Sequence, residues 1–326
     1  MAFQYHYQTG QSQRQRFMCL SESYHGETIG ALSVGSMDLY AKIYKPRMMN
    51  TIHFDGLDCY RCPYEKTRTS CHCECFESAE KAFQAFGKET AAVIVEPILQ
   101  GAAGMRIYPA EYLRRLHHLC QAYGVLLIDD EIAAGFGRTG KMFAIEHAGI
   151  CPDILCTSKG LTGGYLPMAL TITTEKIYQA FYDEYGTHKA FVHSHTYAGN
   201  PLACAAALSV LTILQREDIL KKAAKKAIYL HNMLEDALGS HQNIGEIRHI
   251  GLINALELVK NKKTKQPFDA QRRIGWHIFR KAMDRGLVLR PIGDVLYFNP
   301  PLTIDTETME LAVARCTAAV HDVLGR

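Results

Sequence analysis

Two short apolar runs end in charges of opposite sign. Residues 125–128, Val-Leu-Leu-Ile, lead into Asp129, Asp130 and Glu131. Residues 154–156, Ile-Leu-Cys, lead into Thr157, Ser158, Lys159 and Gly160. Each run has the length and composition of a buried strand. An acid and an amine are thus delivered at strand carboxyl ends, where open α/β sheets hold their ligands. Lys159 sits among small residues, with Gly163 and Gly164 just beyond, which opens the backbone to close approach. A desolvated lysine can release its proton and attack an aldehyde carbon to form a Schiff base. An ionised carboxylate facing a pyridine nitrogen keeps that ring protonated and able to accept electrons. Those two services are what pyridoxal phosphate requires of a protein. In an extended strand Asp129 and Asp130 point to opposite sides, so only one can face such a ring.

Two other motifs compete for attention. Gly135-Phe136-Gly137-Arg138-Thr139-Gly140-Lys141 fits the start of a phosphate-binding P-loop, but Met142 stands where a serine or threonine should hold magnesium. The segment also follows an acidic triplet and not a strand. The cysteines cluster at Cys59-Tyr60-Arg61-Cys62 and at Cys71-His72-Cys73-Glu74-Cys75. The first pair has zinc-knuckle spacing; the one-residue spacings of the second group suit a tetrahedral ion less well. A structural metal site and a cysteine-rich surface excursion are the two readings.

The elements that must position the acid and the lysine follow from the pattern around them. Residues 17–20 and 92–95 read as buried strands, Glu77–Phe86 as a short amphipathic helix, and 109–123 as a helix with proline at its start and Gly124 at its end. Strand, helix, strand without a hairpin turn predicts parallel pairing with a right-handed crossover. Residues 168–173 are a further strand and 175–183 a helix. Asn200-Pro201 caps an alanine-rich helix over 202–214, expected to pack closely. The preceding Ser194, Thr196 and loop amides either hold an anion or simply cap that helix. Beyond it the pattern changes. Lys221, Lys222, Lys225 and Lys226 mark a solvated helix face. Strands follow over 252–259, 287–290 and Val295–Phe298, with helices over 272–285 and after Asp305. The reading is an α/β chain with a mostly parallel sheet in a large domain, residues 1–214, and a smaller α+β domain, residues 215–326. Residues 1–7 read as the tail of a helix. Tyr24-His25-Gly26, taken alone, reads as an exposed turn after a strand.

The bulk numbers exclude several classes. The 326 residues carry a net charge of +3, with 48% hydrophobic and 21% charged residues. That balance is too small to mark nucleic acid or an anionic membrane as the main partner. No run spans a bilayer and no secretory signal opens the chain, so a cytoplasmic protein is expected. Cys19, Cys120, Cys156, Cys204 and Cys316 lie in apolar runs and read as small buried hydrophobes, not as a disulfide framework.

Taken together, Asp130-Glu131-Ile132, residues 135–140 and Ser158-Lys159-Gly160 resemble the class III (subgroup II) pyridoxal phosphate aminotransferases. Tyr24-His25-Gly26-Glu27-Thr28, Glu96-Pro97 with Gln100-Gly101, and Thr196 with Gly199-Asn200-Pro201 add to the likeness in the family's order. Leu289-Arg290-Pro291-Ile292-Gly293, Leu296-Tyr297 and Pro300-Pro301 look most like the family's biotin-pathway branch. The resemblance covers nearly the whole chain. It implies the fold-type-I architecture of pyridoxal-phosphate-dependent transferases and a homodimer sharing its active sites. It implies amination of 8-amino-7-oxononanoate to 7,8-diaminononanoate, with S-adenosylmethionine as donor. Lysine as donor, an ω-amino acid:pyruvate transaminase and an inactive remnant are the alternatives. It further implies that Lys159 bonds the cofactor and shuttles the proton, and that Asp130 pairs with the pyridine nitrogen. Ile132 and Tyr24 would pack on the two ring faces. Thr196 of the partner subunit would bind the phosphate, beside the His195 backbone. Arg290 would bind the substrate carboxylate, and Ser194 and Tyr297 would line the substrate channel. The Cys59–Pro63 segment resembles one found in members without a metal, which favours the excursion reading. Family members carry an N-terminal segment and a Ser/Gly-rich phosphate loop that are not present here, so weak cofactor binding by this chain is expected.

Overall fold

The computed structural model describes residues 1–325, and the described chain forms two compact units. The first gathers Met1–Gly101, Tyr108–Phe136 and Phe143–Thr212; the second gathers Ala102–Ile107, Gly137–Met142 and the described residues from Ile213 onward.

In the first unit six strands form one sheet: β1 (Arg16–Leu20), β2 (Ile52–Phe54), β3 (Thr90–Val95), β4 (Leu126–Asp130), β5 (Ile154–Thr157) and β6 (Leu170–Thr173). Their order is β2-β1-β3-β4-β5-β6. All neighbours run parallel except β6, which pairs antiparallel with β5. The inner parallel strands β1, β3 and β4 are largely buried on both faces, as their apolar runs require, while the edge strand β2 exposes His53. The helix α1 (Glu77–Phe86) precedes β3, and α2 (Ala110–Tyr123) makes the crossover from β3 to β4. Tyr112, Leu113, Leu116 and Cys120 recur at helical spacing and form α2's buried face. Gly124 then takes a left-handed conformation (φ +65°), and its N–H bonds the last-turn carbonyls, which stops the helix.

Some expectations fail in instructive ways. Residues 175–183 keep regular helix only over Glu175–Gln179. Asn200 caps as expected, its Oδ1 accepting from the Leu202 and Ala203 amides. The helix α3 (Pro201–Arg216) does not pack closely, however. Only Ala203 and Ala207 are buried on it, while Leu202 is 70% and Leu208 65% exposed. An apolar helix reads as core by composition, and composition does not say whose core it joins.

The second unit is built on a four-stranded sheet, whose strands in chain order are β7 (Ile244–Ile250), β8 (Ile253–Leu258), β9 (Arg290–Ile292) and β10 (Val295–Phe298). Their sheet order is β9-β10-β8-β7, antiparallel throughout. One face carries α4 (Ile219–Leu238), α5 (Ile274–Asp284) and α6 (Thr306–Leu324), whose apolar faces share one core with the strands. Asp305 caps α6 through the Thr308 amide. The strand expected over 287–290 lies instead at Arg290–Ile292, where it can pair with β10. The strand β7 was not anticipated, because Glu246 and Arg248 interrupt its apolar pattern.

Arg248 explains that interruption. It is buried, and its guanidinium donates to Glu257 at 2.9 Å, to Glu246 at 3.2 Å, to the Gly104 carbonyl at 2.5 Å and to the Met105 carbonyl at 2.8 Å. It thus ties residues 102–107 to the sheet. Arg248→Met would strand the buried Glu257 carboxylate, and is expected to destabilise this unit by about 3–5 kcal/mol in urea unfolding.

Candidate active site

The carboxyl ends of β1, β3, β4 and β5 bring the candidate residues of the first unit to one edge of the sheet. Asp130 is the last residue of β4. It pairs across the ladder with Cys156 of β5, three residues before Lys159. Asp129 and Asp130 do point apart. Asp129 is fully buried beside Glu131, whose Oε1 accepts from the Ile145 amide at 2.8 Å. Burial pushes the carboxyls of Asp129 and Glu131 upward; the Glu131 charge adds to the shift of Asp129, and the Asp130 charge to both. Asp130 faces the opposite way. Its Oδ2 accepts from His25 Nδ1 at 2.7 Å and its Oδ1 from the Ile132 amide at 3.1 Å.

His25 is the residue that sequence reasoning misplaced. Tyr24-His25-Gly26 is not a free surface turn: the His25 side chain is only 2% exposed and lies against Asp130, itself 7% exposed. The pair is 105 residues apart in sequence. A carboxylate only accepts, so this contact assigns the Nδ1 proton to His25 and fixes the ring. His25 Nε2 is buried without a partner. Tyr24 is half-buried, its ring 5.1 Å from Tyr40 and its hydroxyl donating to Glu27. The Tyr24 amide donates to Glu96 Oε2 at 3.1 Å, and the Gly101 amide to Glu96 Oε1 at 3.0 Å. Glu96, at the end of β3, therefore fixes the backbone that carries Tyr24 and His25.

Burial pushes the Glu96 carboxyl up to about 7 from an ordinary 4.5; nearby His25 and the two amides oppose the shift. The folded chain then holds this proton over a range in which the unfolded chain has lost it. Stability from this group is full below about pH 4.5 and is lost as pH rises through about 7, by up to about 3 kcal/mol. Asp129 and Glu131 act in the same direction. Glu96→Gln is expected to flatten this part of the decline, read as the slope of Tm between pH 5 and 7.5.

Lys159 follows β5 and opens a short 3-10 turn, Lys159–Thr162. Its side chain is exposed and, among the described residues, makes no ion pair or side-chain hydrogen bond. Its φ is +42°, in the left-handed region. Gly160 behind it is required by packing, since a Cβ there would stand 2.9 Å from Phe136 Cβ. The candidate P-loop does not form: β4 ends at Asp130, and residues 135–142 lead into a 3-10 turn at Ala144–His147, where a P-loop needs a strand before it and an α-helix after it.

Ile132 is half-buried immediately after the Asp130 strand end. Ser194, His195 and Thr196 lie on the exposed loop before α3, and no hydrogen bond among the described residues links them to Asp130 or Lys159. In the second unit, Arg290 and Tyr297 are cross-strand partners of β9 and β10, so their side chains share one face of that sheet. Arg290 is exposed and Tyr297 half-buried.

The donor set of the first unit fits pyridoxal phosphate. A buried carboxylate with acceptor capacity left stands at one strand end, steadied by a histidine, and an uncommitted amine follows the neighbouring strand. Such a pair can hold a proton at a heterocyclic nitrogen and present a nucleophilic Nζ.

Comparisons with known proteins agree. The family model for class-III aminotransferases matches residues 1–320. The adenosylmethionine-8-amino-7-oxononanoate aminotransferase of Geobacter sulfurreducens is 39% identical over 326 residues, which is all of this chain and 72% of that protein. The protein of the same name from Nitratidesulfovibrio vulgaris is 41% identical over 322 residues, 98% of this chain and 59% of its own length. The crystal structure of a PLP-bound amine transaminase from an uncultivated Pseudomonas species superimposes with a TM-score of 0.93 at 35% identity, covering 99% of this chain and 73% of that one.

Proposed function

Because the chain belongs to the class-III aminotransferases, enzymes of the fold-type-I architecture that depend on pyridoxal phosphate, we propose that it aminates 8-amino-7-oxononanoate to 7,8-diaminononanoate in biotin biosynthesis, with S-adenosylmethionine as the amino donor. The observation that carries this reading is the name shared by relatives 39–41% identical over nearly all of the chain. Arg290 and Tyr297, set side by side by the register of β9 and β10, support it as carboxylate clamp and channel wall.

When bound, the cofactor supplies an aldehyde that takes up the amine and a ring that accepts the electrons released with the α-proton. The roles of the chain's own residues are those that the family resemblance implies. Asp130 would accept the pyridine N–H, its carboxylate held in place by His25. Tyr24 and Ile132 bracket the ring. Lys159 Nζ would hold the cofactor through its aldehyde carbon and, when free, would be the base that moves the α-proton. Thr196, with the His195 amide, binds the phosphate from the partner subunit, and Ser194 lines the channel. The exposed apolar residues of α3 and the exposed loop before it support a homodimer that completes each site with the other's residues. Among the described residues no helix is long and apolar enough to cross a membrane.

The test is an amination assay with 8-amino-7-oxononanoate and a choice of donors. Formation of 7,8-diaminononanoate only with S-adenosylmethionine supports the reading. Turnover with lysine in its place corrects the donor. Transfer from an ω-amine to pyruvate, without diaminononanoate, replaces the reading with that of the amine transaminases, one of which the fold matches. No transfer from any donor with cofactor in excess marks an inactive chain.

A further inference from the structure

The glycine-rich segment that does not become a P-loop carries an aromatic residue in an unusual place. Gly135 donates its amide to the Glu131 carbonyl at 2.9 Å, and a Cβ on it would stand 2.8 Å from that oxygen, so the chain turns tightly here. The turn delivers Phe136 in a left-handed conformation (φ +55°), which bulky residues rarely adopt. Its side chain is nonetheless buried, with its ring edge-on to that of Phe143 at 5.7 Å.

The same side chain lies against Gly160. A Cβ on Gly160 would stand 2.9 Å from Phe136 Cβ, 3.0 Å from its Cδ2 and 3.2 Å from its Cγ, and these are the three atoms nearest to it. An aromatic side chain therefore packs on bare backbone one residue after Lys159. The turn around that contact is pinned at both ends. Ser158 Oγ donates to the Met168 carbonyl at 2.6 Å, and Thr162 Oγ1 to the Leu166 carbonyl at 2.5 Å. The Leu161 amide donates to the Ser158 carbonyl at 3.0 Å, and Leu161 and Thr162 are buried. Between these anchors stand Lys159, itself left-handed at φ +42°, and Gly160, with Phe136 filling the space beside them.

We propose that Phe136 is a positioning residue for amino transfer: its side chain, wedged between Phe143 and the Gly160 backbone, holds Lys159 in the conformation that presents Nζ. The role rests on the reading of Lys159 as the reactive amine. Its size follows from the geometry. Returning Lys159 to the right-handed region turns φ by about 100° and reorients the Gly160 peptide, which cannot move without displacing Phe136. A rotation of that size at the Cα would sweep the end of the side chain through several ångströms. A misplacement of about 1 Å can already cost about 10²-fold in rate.

The experiment uses the full chain with pyridoxal phosphate in excess and reads three quantities: the residue labelled by sodium borohydride, the pH midpoint of the cofactor's visible band, and kcat in the amination assay. The unaltered chain should be labelled at Lys159. Phe136→Ala should still be labelled there, with kcat lower by about 10- to 100-fold, substrate KM nearly unchanged, and the midpoint moved. Phe136→Leu keeps a branched Cγ against Gly160 and should recover most of the turnover. Gly160→Ala disturbs the same contact from the other side and should show the same loss of kcat and the same moved midpoint. Leu116→Ala, in the buried face of α2, is the stability control: it should lower Tm and leave kcat and midpoint unchanged below the transition. Should Phe136→Ala fail to fold, Gly160→Ala decides by the same readouts, and the midpoint decides even without turnover, since it needs only the cofactor. Turnover and midpoint unchanged in Phe136→Ala, or a loss that Leu116→Ala reproduces, would overturn the role of Phe136 while the labelling of Lys159 stands. A label elsewhere than Lys159 in the unaltered chain would overturn the reading of the site and this role with it.

Discussion

Lys159→Ala is expected to lower amino transfer by at least about 10⁴-fold, because it removes both the nucleophile that takes up the aldehyde and the base that moves the α-proton. The fold should not register the change. The Lys159 side chain is exposed and makes no ion pair among the described residues, so a stability change within about 0.5 kcal/mol is expected. Titration with pyridoxal phosphate gives a second readout. The unaltered chain should develop a visible absorption band that sodium borohydride abolishes with covalent labelling, and the variant should not. A variant that still labels covalently would place the reactive amine elsewhere. One that retained a tenth of its turnover would remove Lys159 from the mechanism altogether.

Asp130→Asn is the second large effect, an expected loss of about 10²–10³-fold in turnover. The amide can still accept from His25, so geometry survives while the charge that keeps a pyridine nitrogen protonated does not. Asp130→Ala should go further. It also leaves the buried His25 Nδ1–H without its acceptor, at an expected cost of about 1–3 kcal/mol in stability. The neighbouring Asp129→Asn is the control. That side chain is buried on the opposite side beside Glu131, away from His25, so its replacement should leave turnover largely intact. If Asp129→Asn were the crippled variant and Asp130→Asn the active one, the assignment of the two aspartates would be reversed.

How far the sequence carried these conclusions depended on how local each signal was. The acid at residue 130 and the lysine at 159 were legible because each terminates an uninterrupted apolar run. Parallel strands announce themselves that way when both faces are buried. The pairing of His25 with Asp130 was not legible. It joins segments 105 residues apart, and Tyr24-His25-Gly26 carries no local mark of burial. The exposure of α3 was equally hidden, since its apolar, alanine-rich composition reads as core and yet Leu202, Leu208 and Leu211 lie open. The strand β7 escaped because Arg248, a charged residue, is one of its buried positions. A buried charge can be foreseen only with its partners, and Gly104, Met105 and Glu257 come from other segments.

The backbone at Lys159 also sets stability against chemistry. A non-glycine residue held at φ +42° works against the steric preference of every L-amino acid, by roughly 1–2 kcal/mol. Glycine or asparagine would relieve that strain, and the exposed side chain returns nothing to the fold. Under mutation without selection for chemistry, position 159 should therefore be among the first to drift toward glycine. Position 159 is therefore a place where selection for stability alone and selection for amino transfer would pull toward different residues.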